Sequence, residues 1–194
     1  MAYNTPSEPV WQALYDVAAS QEGLFTTRQA AAAGYSDPLL VHHQKAGRIT
    51  RIRRGIYRLV HFPAGEHEEL VAAWLWTEST AVISHQSALS LHGLSDSLPA
   101  QIHLTLPKTW RQRRLRVPKG LVLHFADVSA KERAWTGSVP TTSVRRTLDD
   151  CAHSGLTPDL LRQAARQALT RGLVTKADLK EVEKALKPYG GIKG

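Results

Sequence analysis

Four glycines, at positions 23, 34, 47 and 55, cut the first sixty residues into pieces too short for anything but brief helices and a tight hairpin. Ahead of Gly23, Val10, Leu14, Val17 and Ala18 recur at helical spacing behind Pro9. Between Gly23 and Gly34, Thr26 or Thr27 caps a two-turn run of good helix formers. Between Gly34 and Gly47, Asp37 precedes Pro38 at the favoured first helical position. The last two helices meet at the turn Gly34-Tyr35, a helix-turn-helix arrangement. The stretch RITRIRRGIYRLV then reads as two strands flanking Arg53-Arg54-Gly55, with Gly55 free to take the positive φ of a tight turn. Ile49 and Ile52 are three apart, which breaks alternation, so the strand is expected to start near Thr50 with Ile49 at the helix exit. This hairpin is the expected wing.

Charge gives that arrangement a direction. The chain of 194 residues carries a formal net charge of +8, a surplus that favours polyanionic partners. From Pro38 through Gly65 there is no Asp or Glu, while Lys45, Arg48, Arg51, Arg53, Arg54 and Arg58 fall in that window. Such a ribbon suits phosphate tracking on double-stranded DNA, where each neutralised phosphate releases condensed counterions. Arg53 and Arg54 at the wing tip also suit a minor groove. On the third helix, His42 and Lys45 project away from Leu40 and His43 and are the expected groove-facing side chains; His43 is expected to pack. Ser36 stands where helix N–H groups can hold a phosphate, and Thr27 and Arg28 open the second helix as phosphate anchors. No Arg or Asn on the third helix announces a base preference.

Beyond Pro63-Ala64-Gly65 a second domain is expected. HEELVAAWLWT reads as a helix with Leu70, Ala73, Trp74 and Thr77 inward, AVIS as a buried strand, HQSALSLHGL as a helix, and IHLTLP and LVLHF as strands. From Pro140 onward, three segments read as helices. The expected fold class is α+β: a winged helix-turn-helix over 1–62, a mixed α/β domain over 66–188 ending in helices, and a mobile tail over 189–194. Between Asp96 and Asp127, Lys108, Arg111, Arg113, Arg114, Arg116 and Lys119 surround Trp110 without a single acid. This reads as a basic hairpin loop with three open roles: a second DNA contact, a docking surface for an acidic partner or RNA, or a solvated loop.

Chemistry is not expected. No G-x-S-x-G, phosphate-loop or H-x₃-H spacing occurs, so neither a catalytic site nor a metal or other cofactor is anticipated. His85 and His92 are read as packing or capping residues, and Arg145, Arg146, Asp149 and Asp150 as i,i+4 partners. Cys151 is the only cysteine, which excludes an intramolecular disulfide. The N-terminus lacks a basic and apolar leader pattern and no apolar run is long enough to span a bilayer, so a cytoplasmic location away from membranes is expected.

In order along the chain, GLFTTRQAAAAGYS, AGRITRIRRGIYRL, ISHQSALSLHGL and SVPTTSVRRTLDDCA resemble the AbiEi family of antitoxins from type IV toxin–antitoxin systems. The pairing of the Arg-Arg-Gly-x-Tyr wing with the block Ser84-His85-Gln86-Ser87-Ala88 carries the likeness. The resemblance implies an N-domain that binds operator DNA and represses its own operon. It also implies a C-domain that neutralises a nucleotidyltransferase-like toxin, directly or otherwise. A stand-alone regulator without a toxin, and an antitoxin acting mainly by protein–protein binding, are the alternatives. No helix carries a heptad seam, so a free monomer that pairs on an inverted repeat is expected.

Overall fold

The computed structural model describes residues 9–95 and 99–193. Contacts divide the chain into two compact units. One runs to Ser79 and includes Gly137–Val139; the other comprises Thr80–Thr136 and the chain from Pro140. Among the described residues, no helix is long and apolar enough to cross a membrane.

The first unit is built from α1 (Trp11–Ala19), β1 (Leu24–Thr26), α2 (Thr27–Ala32), α3 (Asp37–Lys45), β2 (Ile49–Arg53), β3 (Ile56–Leu59) and α4 (Glu68–Trp76). Its sheet has the order β1-β3-β2 and is antiparallel throughout. Leu14 and Ala18 of α1 and Leu40 of α3 bury against Phe25, Ile49 and Leu59 of the strands. Ile49 thus belongs to β2, paired with Leu59, rather than to the helix exit. The short strand β1 is an addition to the expected elements. Gly23 precedes it at φ +81°, and a Cβ there would lie 2.7 Å from the Phe62 ring, so the chain can turn only with glycine.

Helix α4 corrects the expected boundary at residues 62–66, because it packs within the first unit. Two polar clasps hold it there: Glu22 accepts the His67 backbone N–H at 2.9 Å, and Arg58 pairs with Glu68 at 3.0 Å. Val71, Ala72, Ala73, Trp74 and Leu75 are all buried, so the helix is covered nearly all round, and not only along the stripe of Leu70, Ala73, Trp74 and Thr77.

The second unit holds β4 (Val82–Ile83), α5 (His85–Leu91), β5 (Ile102–Leu106), β6 (Leu121–Phe125), β7 (Arg133–Thr136), β8 (Val139–Thr142, all but its first residue), α6 (Val144–His153), α7 (Pro158–Thr170) and α8 (Lys180–Leu186). The mixed sheet runs β6-β5-β4-β8-β7. β4 is antiparallel to β5 and parallel to β8, while β5 and β6 are parallel from Ile102↔Leu121 to Leu106↔Phe125. Residues 107–120 are therefore a parallel crossover and not a hairpin loop: parallel neighbours cannot be joined by a turn. α5, α6, α7 and α8 close a helical core around Leu89, Leu148, Leu161, Ala165, Val182 and Leu186. Cys151 lies in this core, and burial pushes its thiol up to about 12. The tail is tied where mobility was expected: Arg162 donates to the carbonyl of Gly191, Arg166 donates to that of Ile192, and Glu183 accepts from the Ile192 N–H.

Candidate nucleic-acid interface

The helix-turn-helix is fixed at its start by a capping box. Thr26 Oγ1 accepts the Gln29 N–H at 3.1 Å, and Gln29 Oε1 accepts the Thr26 N–H at 2.8 Å. The next residue reaches the wing: the Thr27 N–H and hydroxyl both donate to the Gly55 carbonyl, at 3.0 and 3.4 Å. Gly55 sits at φ +75°. The wing turn is thus latched onto the first residue of α2. Thr27 is half-buried in this latch, which gives it a structural task where a phosphate anchor was expected.

Within the wing, Arg51 pairs with Tyr57 and Arg53 with Ile56, which leaves Ile52 as the extra residue of a β-bulge. The bulge explains the broken alternation, for Ile52 is 40% exposed while Ile49 is buried. Arg51, Arg54 and Arg48 are exposed, and Arg53 is half-buried. Arg58 is different. Its guanidinium donates to Glu68 and to the carbonyls of Leu59 and Phe62, so the expected phosphate contact is replaced by an internal clasp. On the helices, Arg28, Ser36, His42 and Lys45 are exposed. Ser36 is the N-cap of α3, and its side chain makes no cap hydrogen bond. His43 packs as expected: it stacks on Trp11 with centroids 5.8 Å apart and meets Tyr35 edge-on. Burial lowers its pKa, and Arg48 and His42 lower it further.

Residues 12–60, which contain α2, α3 and the wing, match the family described as "Transcriptional regulator, AbiEi antitoxin". This N-terminal segment is similar to the AbiEi family. No curated protein matches the chain. Among solved structures, the chain is similar to the crystal structure of the RV2827C protein from Mycobacterium tuberculosis, at 13% identity and a TM-score of 0.46, over 93% of this chain and 76% of that one.

Outside residues 12–60, the second basic stretch is partly engaged. Lys108 pairs with Asp127 at 3.8 Å, both exposed. Trp110 is buried, and the Arg113 guanidinium lies 3.8 Å over its ring, so one aromatic face is covered by a cation of the same stretch. Arg111 stands 5.8 Å from the Phe125 ring. Arg114 and Arg116 are exposed.

The structure also assembles a cluster that spacing did not reveal. His85 at the start of α5, His103 on β5 and His124 on β6 bring one ring nitrogen each within 4.8 Å of one another. His103 Nδ1 and His124 Nε2 are 3.0 Å apart, and the His85 and His124 rings stack at 3.5 Å. Burial lowers the pKa of His103 and His124 and brings that of His85 down to about 3. Asp150 lines the same cleft. Its Oδ1 accepts from Arg146 at 2.8 Å, which also pairs with Glu132. Its Oδ2 is buried and without a partner among the described residues, and burial pushes this carboxyl up. The expected i,i+4 pairs Arg145–Asp149 and Arg146–Asp150 are both present. His92 packs, its Nε2 meeting the Thr142 carbonyl at 2.8 Å.

Proposed function

We propose that the protein is an antitoxin that binds operator DNA through its AbiEi-like segment and represses its own operon. The observation that carries this reading is the set of exposed cations on one acid-free stretch: Lys45, Arg48, Arg51 and Arg54, with Arg28 on the neighbouring helix. α3 supplies His42 and Lys45 to the major groove, and the Ser36 end of that helix meets a phosphate. The wing places Arg51 and Arg54 along the backbone or in the adjacent minor groove. An inverted repeat recruits two copies, so each half-site is read by one wing and one α3. In this reading toxin neutralisation falls to the second unit, against a nucleotidyltransferase-like partner.

The test separates the two roles. Arg51→Ala with Arg54→Ala, measured in the full chain, weakens promoter binding about tenfold or more, because two phosphate contacts are lost. Neutralisation of a co-expressed toxin driven from an unrelated promoter is retained. Loss of neutralisation by a folded, normally abundant double variant contradicts the division of labour. Unchanged promoter binding contradicts the interface.

A further inference from the structure

We propose that His85, His103 and His124 form a binding site for one divalent transition-metal ion, Zn2+ above all. The site lies wholly in the second unit and does not depend on DNA binding. Three imidazoles are the donor set that zinc and its neighbours favour, whereas Mg2+ and Ca2+ seek oxygen. Two tetrahedral nitrogen ligands of zinc stand about 3.3 Å apart, given ordinary Zn–N bonds. The 3.0 Å between His103 Nδ1 and His124 Nε2 is close to that spacing.

A merely packed histidine needs none of what surrounds His85. Its backbone holds φ +52°, a left-handed conformation disfavoured for a residue with a Cβ. Strain of this kind gathers at functional sites, where the surroundings over-determine it. Ser84 Oγ lies 2.9 Å from His85 Nδ1 and accepts a hydrogen bond from the Thr105 hydroxyl at 2.7 Å. The hydrogen of that 2.9 Å contact can sit on either atom; where Nδ1 carries it, Ser84 accepts a second hydrogen bond, as its two lone pairs allow. That tautomer leaves the Nε2 lone pair for the cation, the outer arrangement expected of a ligating histidine. Asp150 brings a carboxyl oxygen, without a partner among the described residues, to the same cleft that His124 lines.

The rings are nearly parallel, with 15° between His85 and His124. Stacked rings aim their lone pairs side by side rather than at one point. Binding therefore turns one ring about its side-chain torsion, and half-buried His124 on the edge strand β6 has the room. Three protein ligands leave a fourth position open to the cleft, for solvent or Asp150.

The experiment uses the tag-free full chain. Equilibrium dialysis gives one tightly held Zn2+ per chain, and Co2+ in its place develops the visible absorption of a tetrahedral nitrogen site. His103→Ala and His124→Ala abolish both signals. Ser84→Ala weakens Zn2+ about 10- to 100-fold, and His153→Ala on the exposed surface changes nothing. A footprint on the unaltered protein keeps the question decidable if the alanine variants fail to fold. With diethyl pyrocarbonate, Zn2+ shields His103 and His124 while exposed His42 and His61 stay reactive. No retained Zn2+, no tetrahedral Co2+ spectrum, or equal modification of His103 and His124 with and without Zn2+ overturns the proposal.

Discussion

At the scale of single residues, burial decides more than residue type. His42 and His43 are neighbours, yet one is exposed on α3 while the other is 7% exposed between Trp11 and Tyr35. Burial, then Arg48 and His42, keep His43 neutral in the fold. In the unfolded chain the same ring titrates near its usual value of about 6.5. A depressed folded pKa means that the unfolded state takes up the proton first. The first unit therefore keeps its full stability above about pH 6.5 and loses some as pH falls below that value. Thermal denaturation at pH 7.5 and pH 5.5 shows a smaller drop for His43→Phe than for the wild type. An equal drop removes His43 from the account.

At the scale of elements, the clearest lesson is Arg58. Its sequence neighbours present it as one more wing cation, but β3 turns it inward onto Glu68 at the start of α4. Arg58→Ala costs about 2 kcal/mol of stability through lost charged hydrogen bonds. Arg54→Ala stays within about 0.5 kcal/mol of the wild type but weakens DNA binding. Urea midpoints and promoter titrations on both variants read the contrast, and a destabilised Arg54→Ala reverses the assignment.

The same scale shows what was legible. Glycine stops and threonine caps announced α1, α2, α3 and the wing because their chemistry is local. β8 was not readable: Val139-Pro140-Thr141-Thr142 looks like a polar lead into a helix, and Pro is unusual in a strand. It is buried nonetheless because Thr142 shares its hydroxyl with Thr147 at 2.7 Å and Thr141 lies 3.3 Å from Thr136. The parallel pairing of β5 with β6 was equally hidden, since alternation along each strand carries no sign of its partner's direction. Only the 107–120 crossover betrays it.

At the scale of the whole molecule, each unit has its own core and its own cluster of chemistry-bearing side chains. Chain order suggested a boundary near residue 62, but α4 is held by the first unit through Glu22 and Arg58, side chains whose roles are fixed by contacts distant in sequence. His85, His103 and His124 escaped notice for a similar reason: three elements converge on them, and no short-range spacing links them. The exposed cations Arg28, Lys45, Arg48, Arg51 and Arg54, by contrast, were visible as an acid-poor run before any fold was known. If those five rest on phosphates, log affinity of the full chain for promoter DNA falls with log salt at a slope of roughly −4 to −5. Fluorescence anisotropy across a salt series measures that slope directly. A slope in this range, made shallower by nearly one for Arg54→Ala, is the predicted result; a flat response, or a slope unchanged by that substitution, contradicts the wing as a DNA-binding element.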